Sequence, residues 1–180
     1  MKIISGYLKG RNLLGYDIDG TRPTMDRVKE SLFAIIQNNI PDSIVLDLFS
    51  GSGNLGIEAI SMGSKKAILV DKNKKAIDVI KRNVNNFDIS DKVEIINSDY
   101  KNALSLIKEK IDIIFLDPPY NTDYIKESII LIDEYNILNK GGIIICESNS
   151  VDKIVYSDSF IEEKSKKYGD KWVVILKKMW

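Results

Sequence analysis

The 180-residue chain contains no histidine and only one cysteine, Cys146. The first absence removes the usual zinc-ligand sets and every histidine-based triad, so no metal site is expected. The second rules out an internal disulfide. Cys146 ends the apolar run Gly142-Ile143-Ile144-Ile145, which reads as a buried strand and makes packing, rather than nucleophilic attack, its expected role. An excess of one charge is also missing. Lys plus Arg and Asp plus Glu both number 26, so no global field favours a polyanion, and any nucleic-acid surface must be local. No stretch approaches the roughly eighteen uninterrupted apolar residues of a membrane span, and the N-terminus lacks the apolar core of a signal peptide. A cytoplasmic location is the default expectation.

What is present is concentrated where strands end. Residues 111–116 form a short, β-branched apolar run, the pattern of a strand buried in a parallel sheet, and it stops at Asp117-Pro118-Pro119-Tyr120. Two prolines cannot donate to a ladder and hold the backbone extended, which ends the strand and leaves the Pro118 carbonyl free beside the Asp117 carboxylate. Tyr120 adds a flat stacking face. These groups describe a pocket for a planar molecule carrying an NH2 group. An isolated Asp-Pro-Pro is equally a rigid turn, so the rest of the chain must decide.

The opening residues, Lys2 to Ser5 and Arg11 to Leu14 around a glycine-bearing turn, predict a small basic hairpin with Tyr7 among its charges. Next comes a helix to about Asn39, with Thr24 as the expected N-cap and Arg22 and Arg27 clustered near its start, where an anion or carboxylate would be welcome. From Ser43 the pattern becomes repeated βα units: strands before Asp47, Asp71, Asp99 and Asp117 and a fifth from Ile143 to Glu147, with helices between. This is the pattern of an α/β doubly wound sheet. The tail abandons that rhythm. Ile154-Val155-Tyr156, Phe160 to Tyr168 and Trp172 to Leu176 read as strands, the last two an antiparallel pair around Gly169-Asp170. The expected organisation is an N-terminal hairpin-and-helix appendage over residues 1–40 and a main domain over 41–180.

Ligands of such sheets bind at the carboxyl ends of the strands. Four acids in succession at that edge are hard to explain as solvated loop residues. Gly51-x-Gly53-x-x-Gly56 with Asp71 eighteen residues beyond Gly53 also satisfies a dinucleotide fingerprint. However, Asp47 would repel a pyrophosphate, and the loop holds no lysine or arginine to offset it. An adenosyl sulfonium with an amino acid tail fits the acidic edge better, with Asp47 near the methionine part, Asp71 on the ribose and Asp99 receiving the adenine amine.

The segments Leu46-Asp47-Leu48-Phe49-Ser50-Gly51-Ser52-Gly53 and Asp117-Pro118-Pro119-Tyr120 resemble those of S-adenosylmethionine-dependent methyltransferases that modify exocyclic amines. Ile3-Ile4-Ser5-Gly6 with Lys9-Gly10-Arg11, Arg22-Pro23-Thr24 with Arg27 to Phe33, and Lys167-Tyr168-Gly169-Asp170 are similar to the bacterial RsmD family. The resemblance covers nearly the whole chain. It implies a Rossmann-like class I methyltransferase fold, S-adenosyl-L-methionine as cofactor, and transfer of methyl to the N2 amine of a guanine in 16S rRNA within a partly assembled small ribosomal subunit.

On this reading Asp117, Pro118 and Tyr120 are the catalytic candidates. The cofactor set is Arg22, Thr24, Asp47, Phe49, Ser50, Gly51, Ser52, Gly53, Asp71, Lys72, Asp99 and Tyr100. Lys9, Arg11 and Arg27 are the candidates for RNA phosphates. Three alternatives stand beside it: a DNA adenine or cytosine amine methylase, a non-catalytic RNA-binding assembly factor, and a nicotinamide-dependent dehydrogenase.

Overall fold

In the computed structural model, which describes residues 1–15 and 23–180, an N-terminal arm precedes helix α1 (Pro23–Ile36). Strands and helices then alternate: β1 (Ile44–Asp47), α2 (Asn54–Ser61), β2 (Lys66–Asp71), α3 (Lys74–Phe87), β3 (Val93–Asn97), α4 (Tyr100–Leu106), β4 (Ile111–Leu116), α5 (Tyr124–Glu134) and β5 (Leu138–Ser148). The chain closes with β6 (Phe160–Tyr168) and β7 (Lys171–Lys178). The described strands form one sheet in the order β3-β2-β1-β4-β5-β7-β6, parallel except for β7, which runs against both its neighbours.

Alternation along the strands loads both faces. Ile113 and Phe115 of β4 pack among Leu32, Phe33 and Ile36 of α1. The rings of Phe33 and Phe115 lie 5.8 Å apart. Ile114 and Leu116 turn the other way, into the cluster built with α4 and α5, where Cys146 is fully buried and its thiol is pushed up by desolvation. Near-continuous apolar strands are therefore what a two-sided core requires.

Strand order reverses between β1 and β4, which are neighbours with Asp47 beside Phe115. A crevice opens at their carboxyl ends, and the reversed course of β7 brings the β6–β7 turn to the same edge, because Trp172 pairs with Ser148 at the end of β5. The opposite edge receives the tip of the N-terminal arm. The Tyr7 amide donates to the Ser61 carbonyl at the end of α2, and a Cβ on Gly6, at φ +75°, would lie 1.8 Å from that same oxygen. Ile3, Leu8 and Leu13 of the arm are buried with Ile57, Ile60, Ile80 and Val84 of α2 and α3. The expected hairpin is present as one bridge, Lys2 with Asn12, flanked by the Ile3 amide on Arg11 and the Gly10 amide on Ile3.

Several expectations change. Helix α1 begins at Pro23 and ends at Ile36, so Thr24 lies inside the first turn instead of capping it. A proline is favoured at that first position because its missing N–H has no helical acceptor anyway. Helix α4 spans Tyr100–Leu106, shorter than the sequence pattern predicts. The strand expected at Ile154 to Tyr156 is absent: Val151–Lys153 is a 3-10 turn and an irregular segment follows. These residues lie in the connection from β5 to β6 and join no ladder of the sheet. Among the described residues no helix is long and apolar enough to cross a membrane.

Candidate active site

The crevice above β1 and β4 is a cleft of about 370 Å³. Its wall includes Phe49, Gly51, Asp71, Lys72, Asp99, Tyr100, Asp117, Pro118 and Tyr120, so nine sequence-predicted residues from four loops meet in one place. The glycine turn forms the rear. Gly51 and Gly53 adopt positive φ, and a Cβ on Gly56 would sit 2.1 Å from Leu69 Cδ2, so the third glycine is what lets α2 pack closely on β2.

Ser50 ties the turn to the sheet, its hydroxyl donating to the Asp47 carbonyl at 2.7 Å and accepting from the Val70 amide at 2.9 Å. The Ser52 carbonyl accepts from buried Asn83 at 3.0 Å. Asn83 also donates to the Leu14 carbonyl and accepts from the Leu14 amide, joining the arm to the turn.

The acids have different surroundings. Asp71 braces the turn, accepting from the Gly51 amide at 2.9 Å and the Asn73 amide at 2.8 Å. Asp99 caps α4 through the Asn102 amide at 3.0 Å. Asp47 is buried beneath the loop. Its Oδ2 accepts from the Gly56 amide at 3.2 Å, while Oδ1 lacks a hydrogen bond of normal geometry among the described residues. Desolvation raises its pKa to about 7; the Gly56 and Phe49 amides pull down and the Asp71 charge pushes up.

Asp117 stands just past the end of β4, and Pro118 follows it beyond the last ladder pair, Leu116 with Cys146. Its carboxyl is raised well above the ordinary range, by desolvation first and the Glu147 charge second, with Lys171 acting in the opposite direction. Sequence reasoning missed these last two residues. Glu147 and Lys171 form an ion pair, and the Lys171 ammonium lies 5.5 Å from the centre of the Tyr120 ring. Desolvation pulls Lys171 down, but Glu147 outweighs it and the net shift is upward. Tyr124 was missed as well. It stacks on Phe49, with centroids 6.1 Å apart and planes at 5°, and lies 4.8 Å from Tyr100, giving the cleft an aromatic side. The Tyr100 hydroxyl bonds Glu127, and burial and that partner raise its pKa.

Other predicted residues lie elsewhere. Arg22 is outside the described residues, and Thr24 is in the first turn of α1. Arg27 is exposed on α1. Lys9 and Arg11 are not brought to the cleft: the Arg11 guanidinium stacks on Phe87 at 4.8 Å and donates to the Asn86 carbonyl, at the end of α3 and the opposite edge of the sheet.

Seven strands in this order, with one reversed strand and a glycine turn after β1, define the Rossmann-like methyltransferase fold. The solved structure of yhhF from Escherichia coli, a candidate methyltransferase, matches with a TM-score of 0.89 at 27% identity, covering 99% of this chain and 98% of that one. The family described as conserved hypothetical protein 95 matches residues 1–177, and the chain belongs to it, the RsmD family. YlbH of Bacillus subtilis, a candidate rRNA methyltransferase, is 37% identical over 182 residues, covering 99% of both chains. The ribosomal RNA small subunit methyltransferase D of Buchnera aphidicola from Acyrthosiphon pisum is 36% identical, over 91% of this chain and 86% of its own.

Proposed function

We propose that this protein transfers a methyl group from S-adenosyl-L-methionine to the exocyclic N2 amine of a guanine in 16S rRNA, on a partly assembled small ribosomal subunit. The observation that carries the reading is the convergence of Asp117, Pro118 and Tyr120 on the cleft that also holds Asp71 and Asp99. The cofactor fits these residues. Asp47 is a buried carboxyl with an unpartnered oxygen, a position that favours a nearby cation, and Asp71 and Asp99 stand where hydroxyl and amine donors would be received. Phe49, Ser50, Gly51, Ser52, Gly53, Lys72 and Tyr100 would complete its holding set, together with Arg22 and Thr24. When bound, S-adenosylmethionine supplies an activated methyl group and its own leaving group, so the chain needs no histidine.

The chain's task is to prepare the amine. A guanine N2 lone pair is delocalised into the ring. By accepting hydrogen bonds from the NH2 group, the Asp117 carboxylate and the Pro118 carbonyl draw the nitrogen towards a tetrahedral form and aim its lone pair. Tyr120 holds the unstacked base by its face, worth roughly 1–3 kcal/mol. Orientation of this kind removes roughly 7–11 kcal/mol of barrier.

Transfer of labelled methyl to unmodified small subunits, free 16S RNA and duplex DNA, followed by nucleoside analysis, tests the reading. N2-methylguanine in ribosomal RNA is the expected product. Label in DNA, or none despite cofactor binding, contradicts it.

A further inference from the structure

Most of the arm's basic side chains do not face the cleft, whereas the turn between β6 and β7 stands on the cleft edge and is rich in cations. Lys166 and Lys167 are exposed, and neither has a carboxylate partner among the described residues. Each lies over an aromatic ring: Lys166 4.9 Å from the centre of Tyr168, and Lys167 5.6 Å from that of Trp172. Pairing of Lys167 with Trp172 and of Tyr168 with Lys171 fixes the layout. By alternation Lys166, Tyr168 and Lys171 share one face of the ribbon, and Lys167 and Trp172 share the other, so cations flank the tip on both sides. Lys171 then carries the row inward to Tyr120 at the cleft mouth, where its own charge is already taken by Glu147.

We propose that the β6–β7 turn is the surface that receives the RNA strand beside the target nucleotide, with Lys166 and Lys167 on phosphates and Trp172 offering a ring to a neighbouring base. The inference rests on the RNA-methylation reading and deepens it. Lysines without a carboxylate partner, Lys166 making only a long 3.5 Å contact to Ser31 Oγ, interleaved with rings are what a polyanion with stackable bases requires, and through Lys171 the row is continuous with the cleft that would take the flipped base. Exposed Asp170 at the very turn is the one acid of the tip; Glu147 is consumed by Lys171, and Glu163, further down β6, by Lys177. Lys9, on the arm at the opposite edge, has no such continuity.

The test uses the full chain and unmodified 16S RNA transcribed in vitro, with binding measured across a salt series. Replacing two phosphate contacts in the variant Lys166→Ala with Lys167→Ala should reduce the slope of log affinity against log salt by about 1.4–1.8. The same variant should bind S-adenosylmethionine like the wild type, since neither lysine lines the cleft. Trp172→Ala should weaken RNA binding while keeping the slope, and Lys9→Ala should change neither. A wild-type slope in the double variant overturns the proposal, as does a slope lowered by Lys9→Ala alone. Methyl transfer by the wild type to the same RNA and to small subunits is measured alongside. Transfer with unaltered binding by the double variant overturns only this RNA path; no transfer by the wild type overturns the methylation reading and the path with it.

Discussion

Two lysine–glutamate pairs use the same chemistry for opposite ends. Lys29 and Glu58 meet at 2.9 Å with side chains 3% and 0% exposed. Lys29 also donates to the Lys2 carbonyl and to Asn54 Oδ1, and Glu58 accepts from the Ile4 and Ser5 amides. Every strong group is satisfied inside the protein, and the pair pins the arm, α1 and α2 to one another. Lys171 and Glu147 are 27% and 11% exposed and stand at the cleft rim, with their charges directed on Asp117 and with Tyr120 against the ammonium. The first pair holds parts together and the second adjusts a neighbour. What separates them is where unspent interactions point: inward to backbone in one case, towards a candidate reacting group in the other.

The largest expected difference is in stability. Glu58→Ala leaves a buried ammonium without its counterion and two amides without an acceptor, and should lower the unfolding free energy by about 3–5 kcal/mol in urea denaturation. Replacing both members of the rim pair, Lys171→Met with Glu147→Gln, strands no charge and should change it by less than about 1 kcal/mol. Equal losses would erase the distinction.

Next comes the ring against Lys171. Tyr120→Ala should lower kcat/KM for RNA by roughly 5–150-fold, the equivalent of one lost stack, while Tyr120→Phe keeps the face and should stay within about twofold. Equal losses from the two would assign the effect to the hydroxyl instead.

The rim pair should then declare itself in the pH profile. Asp117 is a strong, charged acceptor for the amine only when ionised, so kcat/KM is full above its pKa and falls as pH drops through it. Because that pKa is raised, the acid limb should lie well above the ordinary carboxylate range. Lys171→Met removes a charge that lowers the pKa and should move the limb to higher pH; Glu147→Gln removes one that raises it and should move the limb lower. Shifts in the same direction, or none, would show that the pair does not act on Asp117. The smallest effect belongs to Arg11, whose replacement by alanine should cost about 0.5–1 kcal/mol of stability through its contact with Phe87.

The sheet was largely readable because its strands are short apolar runs ended by an acid, and each break is marked by glycine, proline or aspartate. The same rule would have yielded Glu147, the acid near the end of β5. Lys171 was out of reach: only the register of the β6–β7 hairpin decides that it reaches Tyr120. The charges of Lys9 and Arg11 were equally visible in sequence, but the edge of the sheet they occupy depends on Gly6 meeting Ser61 and on Arg11 meeting Phe87, contacts more than fifty positions apart. At Ile154 to Tyr156 the residues suit a strand, yet they lie in the connection from β5 to β6 and join no ladder, and propensity alone does not decide pairing.

The central claim is that Asp117 acts on the base amine and not on the cofactor. Calorimetric binding of S-adenosylmethionine to Asp117→Ala, with single-turnover methyl transfer to small subunits on the same preparation, separates the two. The account predicts near-wild-type affinity and transfer reduced by at least about a thousandfold, of the order of a lost transition-state contact together with misdirection of the amine. Transfer close to wild type would contradict it.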